Sequence, residues 1–224
     1  MDKKLSTLAI LGATGALGKG LALRCTNAGY PVIIGSRSAE KAQKSADELN
    51  EQTGLNKVSG LDNRSAAAAA EIVILTVPFS NQRDILEVTR EELQGKILVD
   101  ATVPLMPPKV RTVQLPPEGS AAKAAQEFLG EGVRVVSAFQ NVAADHMRDT
   151  EHEIDCDILV CGNDSDAREV VVQLIQSIGM RAWHAGRIAN SAGTEALTSL
   201  LIFINQRYKI DGAGFRITGT PART

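Results

Sequence analysis

Short blocks of consecutive apolar residues alternate along this chain with longer stretches in which apolar positions recur at every third or fourth residue. The blocks predict strands at Leu8–Leu11, Pro31–Gly35, Ile72–Val77, Ile97–Ala101, Val133–Phe139, Ile158–Cys161 and Arg181–His184. The longer stretches predict helices at Gly15–Ala28, Ala39–Thr53, Ser65–Ala70 and Asn81–Leu93. Strands interleaved with helices make parallel βαβ units. Right-handed crossovers wind such units into a doubly wound α/β fold whose sheet is mostly parallel.

Two stretches break the alternation. Between Thr102 and Gly132 five of the chain's eight prolines gather, at Pro104, Pro107, Pro108, Pro116 and Pro117. Ser120 then reads as the cap of a helix that ends near Gly130. Lying after a strand, this segment is either a pocket wall or a solvated connector. Near the carboxyl end, Leu197, Leu200, Leu201 and Ile204 share one face of a helix from Ala196 to Lys209, and Ile202 and Phe203 widen the apolar surface. A helix apolar nearly all round is buried, either in its own core or against a second copy of the chain. The pattern thus divides into a doubly wound domain over residues 1–145 and a small helical C-terminal lobe over 146–224.

Composition narrows the function classes. With 224 residues, 22% charged and a net charge of -2, the chain has no basic block to meet nucleic acid. Only 4% of residues are aromatic, so stacking platforms for single strands are absent as well. The apolar run that follows the amino-terminal lysines is cut short by Gly12, and no stretch has the ~18 apolar residues of a membrane span. An odd set of three cysteines, Cys25, Cys156 and Cys161, fits a reducing cytoplasm. Cys156 and Cys161 lie five residues apart on one predicted strand, facing opposite ways as small apolar side chains that share no metal.

The chemistry-bearing motif is "ILGATGALGKGLA". Gly12, Gly15 and Gly18 follow a strand and open a helix, the context of a Rossmann dinucleotide site. Gly12 permits the tight turn, Gly15 lets a pyrophosphate approach the backbone, and Gly18 lets helix and strand pack closely. The second strand ends in "GSRSAEK" where an acid would select NAD. Ser36, Arg37 and Lys41 at that place suit a 2′-phosphate, with Thr14 adding a hydroxyl, so the constellation selects NADP. Two later strand ends, "TVPFS" with Val77 and Pro78 and "VDATVP" with Val103, are expected to line the same crevice. "SAFQNVAA" ends a further strand on the nicotinamide side, where Gln140 and Asn141 offer uncharged hydrogen bonds and Val142 an apolar face. His146, His152 and His184 are scattered, and the charged run from His146 to Asp157 reads as a solvated loop, so no metal is expected. With neither nucleophile nor metal, direct hydride transfer is the natural chemistry, needing mainly alignment of donor and acceptor carbons.

Together "GATGALGKGLALR", "VIIGSRSAEKA", "TVPFS", "EGSAA" and the terminal "ALTSLLIFINQRYKIDGAGFRITG" resemble the NADPH-dependent coenzyme F420 reductases, the F420:NADP oxidoreductases, from about Leu8 to Gly219. The resemblance implies a homodimeric cytoplasmic enzyme that moves a hydride between NADP(H) and the deazaflavin coenzyme F420. It implies that Thr14, Gly15, Ala16 and Leu17 hold the pyrophosphate, and that Ser36, Arg37 and Lys41 hold the 2′-phosphate. It sets the segment from Ala138 to Ala144 against the nicotinamide. Gly119, Ser120 and the carboxyl-terminal part would then cover the deazaflavin, with Asn141 beside it. Members of that family often carry a histidine where this chain has Gln140, which hydrogen-bonds but holds no proton or charge. The alternatives are an NADPH-dependent reductase of another flat acceptor, a flavin or quinone, and a non-catalytic NADP-sensing protein.

Overall fold

A strand apolar at every position needs cover on both faces, and β1 (Leu8–Leu11) has it: all four residues are buried. In a computed structural model describing residues 5–151 and 153–219, β1 lies inside an eight-stranded sheet. His152 lies outside the described residues. On one side of β1 stand β2 (Val32–Ser36) and then β3 (Val58–Asp62). On the other side follow β4 (Ile72–Leu75), β5 (Ile97–Asp100), β6 (Arg134–Ser137), β7 (Asp157–Gly162) and β8 (Arg181–His184). The first six run parallel, β7 runs antiparallel to β6, and β8 runs parallel to β7. The sheet is therefore doubly wound and mostly parallel. The carboxy-terminal part adds two strands to it besides its helices.

Alternate residues of each strand enter opposite cores. Leu8, Ile10, Ile72, Ile74, Ile97 and Val99 face one layer, while Ala9, Leu11, Val73, Leu75 and Leu98 face the other. The first layer carries α1 (Ala16–Asn27), α2 (Ala39–Thr53), the short α6 (Ala144–Arg148) and α7 (Ser165–Ser177). The second carries α3 (Asn63–Ala69), α4 (Phe79–Thr89) and α5 (Ala121–Leu129). A 3₁₀ turn at Ile188–Asn190 leads into α8 (Ser191–Tyr208).

Departures from the sequence-based expectation have local causes. The third strand, β3, is not foreseen because "VSGLD" offers only two strong apolar residues, split by a serine and a glycine. Gly60 is demanded by packing: a Cβ there would stand 2.1 Å from the Gln43 amide nitrogen on α2. β4 and β6 stop two residues earlier than expected. Thr76 leaves the sheet toward Pro78, which sets the start of α4, and Phe139 takes φ +73°, a left-handed conformation costly for a bulky residue. α1 and α6 touch through Gly20, where a Cβ would meet that of Met147 at 2.5 Å. Arg24 of α1 is buried and donates to the carbonyls of Met147, His146 and Asp149, fastening the segment after β6 to the first helix.

Candidate functional site

Six parallel strands bring their carboxyl ends to one edge, and the order reverses between β1 and β4. A cleft of about 590 Å³ opens at that switch point. It is bounded by the turn after β1, the β2–α2 turn and the β4–α4 turn.

The three glycines of the first turn are needed for three different reasons. Gly12 has φ +83°, and a Cβ on it would lie 2.7 Å from Val77 Cγ1 and 2.9 Å from the Thr76 carbonyl oxygen. Gly18 presses α1 onto the sheet, since a Cβ would stand 2.5 Å from the Ala13 Cα and 2.6 Å from Thr76 Oγ1. Gly15 is unlike both. It has φ -81° and ψ 168°, and its Cβ would meet only the Gly12 carbonyl oxygen at an ordinary 3.5 Å. The fold does not require glycine at Gly15, so its bareness serves the cleft. No side chain caps the amino end of α1. Its first N–H groups are thus left to an anion, which the partial positive charge of the helix end favours.

The opposite wall is basic. Ser36 closes β2, Ser38 caps α2 by accepting from the Lys41 amide at 3.3 Å, and Arg37 and Lys41 stand exposed on the rim. No acidic side chain lines the cleft among the described residues. Backbone donors thus stand on one side of the cleft and a guanidinium and an ammonium on the other, a donor set that suits phosphate groups.

Beyond β5 and β6 the strand ends are tied into a buried polar network. Asp100, fully buried, accepts from Gln82 Nε2 at 2.5 Å and from the Thr102 amide at 2.9 Å. Burial pushes its carboxyl up to about 6. Glu195 of α8, 1% exposed, accepts from the Ala121 and Ala122 amides at 2.6 and 3.0 Å, closing the amino end of α5. Burial drives it up to about 8, against the pull of those two amides and with help from the Asp100 charge. Gln140 and Asn141 also point inward. Gln140 Nε2 donates to the Asp100 carbonyl at 2.7 Å, leaving its Oε1 buried without a partner, and Asn141 Nδ2 donates to the Asp157 carbonyl at 2.8 Å.

A second cavity of about 240 Å³ adjoins this strand end. Asn141, Val142 and His146 line it on one side, and Gly212 and Gly214 of the carboxyl-terminal segment on the other. That segment is held by the Phe215 carbonyl accepting from the Asp157 amide at 2.9 Å and by the Ile217 amide donating to Asp157 Oδ2 at 2.6 Å.

Of the residues singled out in the sequence, the cleft gathers Gly12, Thr14, Gly15, Ser36, Arg37, Lys41, Val77 and Pro78. Ala16, Leu17 and Gly18 form the first turn of α1 just below it. Val103 and Ala138 follow the ends of β5 and β6, outside its lining, and Ala144 opens α6. Gly119 takes φ +97°, and Ser120 is committed to capping α5 by accepting from the Lys123 amide at 3.0 Å. His146 lies 3.5 Å from Asp211 and His184 3.0 Å from Glu169. Among the described residues no three His, Cys, Asp or Glu side chains gather as metal ligands do. Ser38, Asn63, Thr76, Asn81 and Ile85 also line the cleft. Their sequence signal is only that each follows a strand end, which does not say which side chain turns inward.

Comparison with known proteins gives a consistent result. The family described as "NADP oxidoreductase coenzyme F420-dependent" matches residues 7–104. The F420-dependent NADP reductase of Methanocaldococcus jannaschii is 44% identical over 219 residues, covering 94% of this chain and 97% of that protein. The F420-dependent NADP reductase of Methanothermobacter thermautotrophicus is 43% identical, covering 96% and 95%. A solved structure from Arthrobacter sp. FB24, provisionally named an F420-dependent NADP-reductase, superposes with a TM-score of 0.82 at 26% identity and covers 96% of this chain and all of that one.

Proposed function

This chain belongs to the coenzyme F420-dependent NADP oxidoreductase family, and from that premise we propose how its residues divide the work. The protein is an oxidoreductase that transfers a hydride between NADP(H) and coenzyme F420. The dinucleotide and the deazaflavin supply the donor and acceptor carbons, and the protein's part is to bind, orient and exclude water.

We assign the pyrophosphate to the turn of Gly12, Thr14 and Gly15 with the backbone of Ala16 and Leu17, and the 2′-phosphate to Ser36, Arg37 and Lys41. The carrying observation is the cleft itself: a bare Gly15 opposite two cations, with no carboxylate among the described residues that line it. Val77 and Pro78 line the ribose side, with Val103 beyond the end of β5 outside that lining, and we set the segment from Ala138 to Ala144 against the nicotinamide. Val142 presents the apolar face, while Gln140 acts through the backbone of Asp100 and fixes that segment in place. Residues 1–145 hold NADP(H) in this reading, and residues 146–224 complete the substrate pocket. The cavity between Val142 and Gly212 supports that division.

Two further assignments belong to the same reading. Leu200 and Phe203 stand about half exposed on α8, and we take this face as the contact with a second copy, making a homodimer. Three free, buried cysteines fit a reducing cytoplasm, and no described helix is long and apolar enough to cross a membrane.

The test is stopped-flow absorbance with oxidised coenzyme F420, following its visible band. NADPH should bleach the band rapidly and NADH slowly. Arg37→Ala should lose NADPH affinity by about 1.5–3 kcal/mol, the worth of hydrogen bonds to a charged group, with NADH unaffected. An unchanged preference in that variant refutes the 2′-phosphate assignment.

A further inference from the structure

Asn63 is the first residue of α3, one position beyond Asp62, which stands in register with Ser36 of β2. Its side chain lines the cleft and is only 6% exposed, yet Oδ1 is sealed from solvent without a hydrogen-bond partner. That oxygen lies against the bare backbone of Gly35, where a Cβ would come within 3.1 Å of it. A buried amide carbonyl left unpaired is destabilising, whereas an apolar side chain would fill the same place at no such cost. An acceptor kept here in the free protein has its partner in the bound one.

We infer that Asn63 reads the adenosine half of NADP(H), its Oδ1 accepting from a neutral donor, either the ribose 3′-hydroxyl or the adenine amino group. The chemistry excludes the neighbouring phosphate. An ionised phosphate offers an amide oxygen no proton, and it is already faced by Arg37 and Lys41. The terminal torsion of an asparagine is broad and roughly two-fold, so a half-turn exchanges Oδ1 and Nδ2 and frees the oxygen from Gly35 within a side chain that lines the cleft. The inference rests on the reading that this cleft takes NADP(H). It goes beyond that reading by giving the cofactor's shared adenosine portion, as distinct from its 2′-phosphate, a recognition residue.

Calorimetric titration of the full chain with ADP-ribose and with 2′-phospho-ADP-ribose separates the two. Asn63→Ala should weaken both ligands by the same factor, about tenfold. Arg37→Ala should weaken only the phosphorylated one. The 3′-deoxyribose and inosine analogues of ADP-ribose identify the donor, because the analogue lacking it binds wild type and Asn63→Ala alike. Asn63→Leu, which fills the site with an apolar side chain, should melt at or above the wild-type temperature while losing the same affinity.

Wild-type binding of both ligands by the two Asn63 variants, with Arg37→Ala still impaired, overturns the inference and leaves the cofactor reading standing. A loss confined to the phosphorylated ligand overturns it as well. So does a deep fall in melting temperature for both Asn63 variants, which makes the residue structural. Failure of the wild type to bind either ligand removes the cofactor reading and the inference together.

Discussion

At the scale of single residues, the three glycines separate fold from function. Gly12 and Gly18 cannot carry a side chain without displacing Val77, the Thr76 backbone or Ala13, so substitution there unfolds or distorts the turn. Gly15 has an extended backbone that valine also adopts and no close neighbour. Gly15→Val should therefore fold with a melting temperature near that of the wild type while NADPH binding is lost. Each backbone hydrogen bond to a phosphate is worth about 1.5–3 kcal/mol, and blocking two of them weakens binding by roughly two orders of magnitude or more. Fluorescence titration beside a thermal melt checks both halves, and tight NADPH binding by the folded variant refutes the placement. The packing demands at Gly12 and Gly18 were legible in the sequence because their spacing follows directly from one turn between a strand and a helix. Asn63 and Asn81 were not, since only the strand order brings the ends of β3 and β4 beside that of β2 and β1. Nor was the inward turn of Gln140 and Asn141, which follows a left-handed Phe139 that a bulky residue rarely adopts.

At the scale of elements, α8 is attached to α5 by a carboxyl group. Glu195 closes the amino end of α5, and its folded value of about 8 exceeds the ordinary 4.5. A carboxyl group with a raised folded value holds a proton that the unfolded chain releases. Its stabilisation is complete below about 4.5 and is lost as pH rises through about 8. Asp100 acts in the same direction over a lower window, from 3.8 to about 6. The wild-type melting temperature should therefore decline between pH 5 and 8, and Glu195→Gln should abolish the decline above pH 6. An equal slope in both proteins would exclude Glu195 as its source. Helices and central strands could be anticipated because their signals are local, whereas this contact joins residues 74 positions apart. β3 escaped notice for a related reason: its strand character comes from α2 packed on Gly60, not from its own apolar content.

At the scale of the whole molecule, the exposed apolar face of α8 sets the expectation for assembly. Phe203 and Leu200 lie close to one another on its solvent side, and Tyr208 and Ile210 continue the exposed surface. Light scattering after size exclusion should give twice the mass of the 23.8 kDa chain, and Phe203→Glu should give the single mass with hydride transfer reduced or unchanged. A wild-type monomer would refute the contact. The doubly wound plan was legible from the alternation of blocks and helices, but the reversal of β7 was not, because the irregular stretch between β6 and β7 is long enough for either direction. That reversal carries a practical consequence for anyone who handles the protein. It carries the first residue of β7, Asp157, past the carboxyl end of β6 to the level of Asn141, and Ile217 is bonded to it there. A purification handle or fluorophore attached beyond Ile217 would start beside the cavity that Asn141 and Val142 line. One fused ahead of Leu8 enters at the opposite end of the sheet, a full strand length from the cleft.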